Sequence, residues 1–255
     1  MKHNEMKLLY KEVEKLVPIF LAEFIDYVPF EKRRYLKEKI ELGFSSHLVG
    51  IDLGIGAWCR DNKILFANRN IDLFKTFYLR KGYGKNKGFK LVDEENFIDN
   101  DKDYLDYIDY IIANGMKEFD YCLDILPHEV MHLIGSCGGV LGEGVTELRT
   151  RQVCKKYGIR CAPIWHSKET KLVMMLEKHL GEMALNDAAF FGDFTVIENA
   201  CERIFGSEFK DVYEDLCISY RTYVIDRSPS HIEHYKKYRE IDFEPIYKLI
   251  EKKEI

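Results

Sequence analysis

No stretch of this sequence is long and apolar enough to cross a bilayer. The longest apolar run, Val17 to Phe30, is interrupted by Glu23 and Asp26, whereas a spanning helix needs about 20 nearly uncharged residues. The N-terminal residues Met1 to Lys7 carry charge and no apolar segment, so no signal peptide is read and a cytoplasmic location is expected. No Cys-x-x-Cys occurs among the seven cysteines, Cys59, Cys122, Cys137, Cys154, Cys161, Cys201 and Cys217. Their odd number and the missing export signal argue against a disulfide framework or a thiolate zinc cluster and for reduced, mostly buried thiols. Positive charge is not in excess. Lys and Arg number 38 against 43 Asp and Glu, a formal charge of −5, so a phosphate-gripping protein is a poor reading and no nucleic acid partner is expected. Internal repeats and low-complexity tracts are missing as well.

What is present is enough for a core. The 255 residues are 46% hydrophobic and 32% charged, which excludes wholesale disorder and fits one large or two small domains. Residues from Glu5 to Gly43 carry helical periodicity, with Leu8, Leu9, Val13 and Leu16 on one face and breaks expected at Pro18 and Pro29. Leu48 to Leu53 and Lys63 to Ala67 read as strands, with a turn at Arg60 to Lys63, and Thr76 to Leu79 as a further candidate strand. Lys81 to Gly88 is rich in Gly and Lys but lacks the Walker pattern, so it reads as a solvated loop. From Asp103 onward helices are expected over 103–114, 118–135, 143–157, 169–180, 194–205, 208–220 and 232–239. Gly135, Gly158, Gly181 and Gly206 stand at their ends and Asp193 at a start. The expected class is α+β, predominantly α, with N-terminal helices and a small sheet over 1–117 and a helical lobe over 118–255 that together form one compact unit.

The chemistry concentrates in Leu126-Pro-His-Glu-Val-Met-His132 and the residues after it. His128 and His132 are four apart, so a helix puts both imidazoles on one face, where they can share a metal ion. Glu129 projects beside that ion and can take a proton from a bound water without being a ligand. Asp124 is read as a cap for a helix starting just before the motif. A glycine-rich turn from Gly135 to Gly142 is expected to end this helix. Glu143 then opens a new one, with Glu147 one turn on along the same face. That supplies one carboxylate for the metal and a second to receive the free N–H of a ligand His, with the division of roles open.

His128-Glu-x-x-His132 followed by Gly142-Glu-Gly-Val-Thr-Glu147 resembles the gluzincin metallopeptidases, the thermolysin-like and aminopeptidase-like branch of the zincins. The rival metzincin pattern fails at its final His, where this chain has Gly138. The resemblance covers about residues 124–150. It implies a zincin-like fold, one zinc ion on His128, His132 and Glu143, Glu147 behind a ligand ring, and hydrolysis of a peptide or protein substrate with Glu129 as general base. It also implies a donor for the developing oxyanion from the helical lobe. His166, Tyr220, Tyr223, His231 and His234 are the candidates, with His231 in Asp226-Arg-Ser-Pro-Ser-His-Ile-Glu-His234 put forward as catalytic. An edge strand pairing with the substrate is implied too, for which Lys63 to Ala67 is the candidate. Two other readings stand beside this one: a non-catalytic zinc-containing binding module, and a metal-dependent hydrolase of a non-peptide amide.

Overall fold

A computed structural model describes residues 3–38, 40–45, 57–60, 63–67, 118–135, 138–161, 166–224 and 237–253. The described chain is predominantly helical with one small sheet, the α+β class expected. No described helix is long and apolar enough to cross a membrane.

Helix α1 (His3–Glu23) buries Leu9, Val13, Leu16, Val17, Phe20 and Leu21, a stripe at helical spacing. The expected break at Pro18 does not occur. Pro18 lies on the exposed face of α1, as does Glu14 one turn earlier, so the carbonyl that loses its partner can be hydrated. Pro29 does separate α1 from α2 (Phe30–Glu38). Three short strands follow, β1 (Glu41–Ser45), β2 (Ala57–Arg60) and β3 (Lys63–Ala67). Their order is β1-β3-β2. β3 runs parallel to β1, with Glu41 opposite Lys63, and antiparallel to β2, with Arg60 opposite Lys63. Lys63 to Ala67 is therefore the middle strand and not an edge, which removes it as a strand for pairing with substrate. Residues 41–43 were expected to be helical and form part of β1 instead. The candidate strands at 48–53 and 76–79, the loop at 81–88 and the helix at 103–114 lie outside the described residues.

Helix α3 (Glu118–Ile134) packs against α1 and the sheet. It begins earlier than Asp124 requires for a cap. Asp124 is buried in mid-helix, where its Oδ2 accepts Arg160 Nη2 at 2.8 Å and its Oδ1 forms an ion pair with Arg160 Nε at 2.6 Å. Lys32 of α2 donates to the carbonyl of Gly135 just past the end of α3. Helix α4 (Gly139–Tyr157) starts four residues before the expected 143, so Gly142 lies inside it. From Val140 to Thr150 nearly every face of α4 is buried, including Thr146, Glu147, Arg149 and Thr150. Such a helix carries no amphipathic signal, and its polar groups must find partners. Four more helices complete the bundle before the C-terminal segment: α5 (Ser167–Leu180), α6 (Glu182–Phe191), α7 (Thr195–Phe205) and α8 (Ser207–Val224). Asp193 Oδ1 accepts the amide of Thr195 at 3.0 Å as α7 begins. A helical turn at 237–240 and α9 (Glu244–Glu251) close the described chain. Helices α6 and α9 were not anticipated. One hydrophobic cluster runs from Leu9 of α1 to Ile250 of α9.

Helices α4 and α5 pack closely at Gly144. A Cβ there would stand 2.5 Å from the Glu169 carbonyl oxygen and 2.7 Å from its carbon and from Val173 Cγ2. Gly144→Ala should therefore destabilise the protein by about 1–3 kcal/mol through overpacking. In an unobstructed helix the same change stabilises by up to about 1 kcal/mol. The sign of the shift in melting temperature decides the matter, and a rise would show that the two backbones are not in contact.

Candidate metal centre

On α3, His128 and His132 are one turn apart and their rings meet edge to face, with centroids 4.7 Å apart at 78°. Their Nε2 atoms are 3.0 Å apart. Glu143, from the first turns of α4, brings Oε2 to 3.1 Å from His132 Nε2 and 3.4 Å from His128 Nε2. These three residues form a compact group able to hold a metal ion. Their side chains keep 17%, 13% and 20% exposure, so the group is reachable from outside.

The triangle can be tested against a tetrahedral ion. Ligand atoms about 2.0–2.1 Å from a zinc ion stand about 3.3 Å apart, close to the three separations above. A point about 2.0 Å from all three atoms lies about 0.8 Å out of their plane, near the tetrahedral value of about 0.7 Å. The donor set, two imidazole nitrogens and a carboxylate oxygen, suits zinc.

The outward nitrogens are held as well. His128 Nδ1 is 2.9 Å from Glu147 Oε2, and the other oxygen of Glu147 accepts Arg151 Nε at 2.9 Å. His132 Nδ1 lies 3.4 Å from Thr146 Oγ1. Partners at Nδ1 fix which nitrogen faces inward and aim the ring. Glu143 and Glu147 thus stand on opposite sides of His128, one on the Nε2 side and one on the Nδ1 side.

Electrostatics follow the geometry. Burial pushes the Glu147 carboxyl up, but Arg151 and the His128 hydrogen bond outweigh it and bring it down to about 2. Burial also opposes ionisation of Glu143, yet His132 and His166 with the ring hydrogen bonds hold it well below the usual carboxylate range. His128 is disfavoured as a cation by burial and raised overall by Glu143 and Glu147. The carboxylates that stabilise imidazolium would equally stabilise a cation among the rings. Glu129 is buried. Burial raises its carboxyl, against the pull of His128 and His132.

Of the five candidate donors, His166 and Tyr220 reach this cluster. His166 stacks on His128 with centroids 5.6 Å apart at 19°, and its Nε2 is 3.4 Å from Glu143 Oε2. Its Nδ1 is 3.3 Å from Glu169 Oε1 and 3.4 Å from the Tyr220 hydroxyl. Tyr223 packs behind, against the rings of Tyr220 and Tyr238. His231 and His234 lie outside the described residues. Four participants were not singled out as site residues from the sequence: Thr146, Arg151, Glu169 and Tyr238. Only Glu169 left a local signal, since it follows His166 by three positions at the start of a helix. The others arrive through tertiary packing.

No protein-family model, curated protein or solved structure matches the chain.

Proposed function

We propose that this protein is a zinc-dependent peptidase of zincin-like build, with His128, His132 and Glu143 as metal ligands and Glu129 as general base. The observation that carries the reading is the triangle of two Nε2 atoms and one carboxylate oxygen, 3.0, 3.1 and 3.4 Å on its sides. Three protein ligands leave a fourth position open, the pattern of catalytic and not structural zinc sites. Zinc bound there supplies a Lewis acid for the scissile carbonyl and lowers the pKa of a water to about 7.

The chain's own residues do the rest. Glu129 accepts a proton from the attacking water and returns it to the leaving nitrogen as the C–N bond breaks. Glu147, fixed by Arg151, keeps the His128 ring aimed inward.

Metal analysis of the purified protein tests the reading. One zinc per chain is expected in the parent. Essentially none should remain in Glu143→Ala or His128→Ala, and Glu147→Ala should bind zinc with about 10- to 100-fold lower affinity. Full zinc retention in Glu143→Ala would overturn the ligand set.

A further inference from the structure

Away from the proposed metal ligands, α4 ends in a pair of cysteines. Cys154 lies in the last turns of α4 and is buried, whereas Cys161, just past the helix end, is half-buried. Gly158 stops the helix in the left-handed conformation, with φ 64° and ψ 32°, and the Ile159 amide donates back to the Cys154 carbonyl at 2.9 Å. The chain therefore turns back over the turn it has just left. Arg160 pins the returning segment, because its guanidinium pairs with the buried Asp124 of α3. Cys154 belongs to the hydrophobic core, Cys161 packs against that core, and the two thiols end in hydrogen-bond contact with each other.

The two sulfurs are not equivalent. Cys154 donates its S–H to Cys161. That bond, with the Arg151 guanidinium, holds the Cys161 thiol below its ordinary range, against burial and the carboxylates of Glu147 and Asp124. The same bond and burial push the Cys154 thiol up. The sulfur that a small solute can reach is thus the one favoured as thiolate, the reactive form, and the sulfur behind it keeps its proton. Thiol oxidation needs this division: an accessible sulfur to meet the oxidant and a neighbour to displace what it leaves behind. Other described cysteines are set differently. Burial pushes Cys201 up to about 12 and also raises Cys217. Packing as a small apolar residue accounts for Cys154 alone. It does not account for a second, half-buried sulfur held against it beside a guanidinium.

We propose that Cys154 and Cys161 form a modification site, a dithiol that hydrogen peroxide converts to an intramolecular disulfide. The Cys161 thiolate attacks one peroxide oxygen. The O–O bond breaks, the departing hydroxide takes up a proton as water, and Cys161 becomes a sulfenic acid. Cys154 then gives up its proton and attacks the Cys161 sulfur. The S–O bond breaks, and the hydroxyl leaves with that proton as a second water. The two thiols lose two electrons in all, and the peroxide gains them. Sulfurs already in contact reach bonding distance by side-chain rotation and a small adjustment of the turn. A thiol reductant reverses the change by exchange. Neither cysteine is among the proposed metal ligands, so the site does not depend on that reading.

The test treats the reduced full chain with hydrogen peroxide, caps remaining thiols with iodoacetamide in denaturant, and digests with trypsin for mass spectrometry. Cleavage after Arg151, Lys155, Arg160 and Lys168 places each sulfur in its own peptide, 152–155 and 161–168, with one cysteine apiece. The bond therefore appears as these two peptides joined, lighter by two hydrogens than their sum. This pair is expected as the main disulfide of the parent, and dithiothreitol should abolish it. Cys154→Ala should stop at the sulfenic acid on Cys161, trapped by dimedone. Cys161→Ser should leave Cys154 as a thiol that iodoacetamide caps. In the native, unoxidised chain, iodoacetamide should label Cys161 about tenfold or more faster than Cys154 or Cys201. Recovery of both peptides fully capped after peroxide treatment would overturn the proposal. So would Cys161 joined mainly to any other cysteine. Zinc content is measured on the same preparation: a zinc-free chain that forms the pair keeps this inference and loses the proposed function, and a zinc-bearing chain that does not form it gives the reverse.

Discussion

Arg149→Ala is expected to lower the free energy of unfolding by about 3 kcal/mol, the low end of the cost of breaking a buried ion pair. The Arg149 guanidinium is fully buried at the centre of α4. Its Nε donates to Asn186 Oδ1 of α6 at 2.7 Å, its Nη1 to Gln152 Oε1 at 3.0 Å, and its Nη2 to Glu177 Oε2 of α5 at 3.0 Å. One side chain thus satisfies groups on three helices. Removing it leaves Asn186, itself buried, without that donor, and leaves a large void. Glu177 keeps 24% exposure, so water recovers part of its solvation, which is why the low end applies. For a chain of this size the loss corresponds to a melting temperature lower by about 6–12 °C. Arg149→Lys should also lose stability, because one ammonium cannot match the planar fork. Adding Glu177→Gln to Arg149→Ala should return part of the loss. Urea denaturation read at constant slope checks each value, and a loss below about 1 kcal/mol would mean that the pairing is not made.

Glu129→Gln should reduce peptide hydrolysis by about 10²- to 10⁴-fold, the usual contribution of a positioned general base. The substitution keeps the shape of the side chain and removes its ability to take a proton. Glu129 is not in the compact ligand group, so zinc content and the melting transition should stay at the parent values. The assay is cleavage of a mixture of quenched fluorescent peptides by parent and variant at equal zinc loading. Parent activity retained by Glu129→Gln would remove Glu129 from the chemistry. A parent that binds zinc tightly but cleaves nothing would favour the binding-module reading.

The sequence made the local parts of this architecture visible and hid the non-local ones. His128 and His132 share a face because four residues make about one helical turn, and that is independent of anything else in the chain. Gly158, Gly181 and Gly206 do end helices, with positive φ of 64°, 80° and 99°. In the sequence Gly144 stands out only as part of a motif. Its reason, the Glu169 carbonyl a van der Waals contact away, belongs to another helix. The sequence leaves the start of α4 unmarked because a helix buried on nearly every face has no hydrophobic stripe. Lys63 to Ala67 was legible as a strand but not as the central one, since its parallel neighbour, Glu41–Ser45, is brought alongside only by the fold. Pro127 illustrates the same limit. It sits inside α3, one residue before His128, in a helix that tertiary packing holds intact.

The three proposed grip points fall between His128 and Glu143, on consecutive helices, whereas the hydrogen bonds around His166 reach forward through Glu169 to Tyr238, and Tyr247 donates to the Lys168 carbonyl. Synthesis on the ribosome delivers those two groups at different times, and chains fold as they emerge. On the proposed reading, a nascent polypeptide would expose all three ligands before Tyr238 and Tyr247 have left the tunnel.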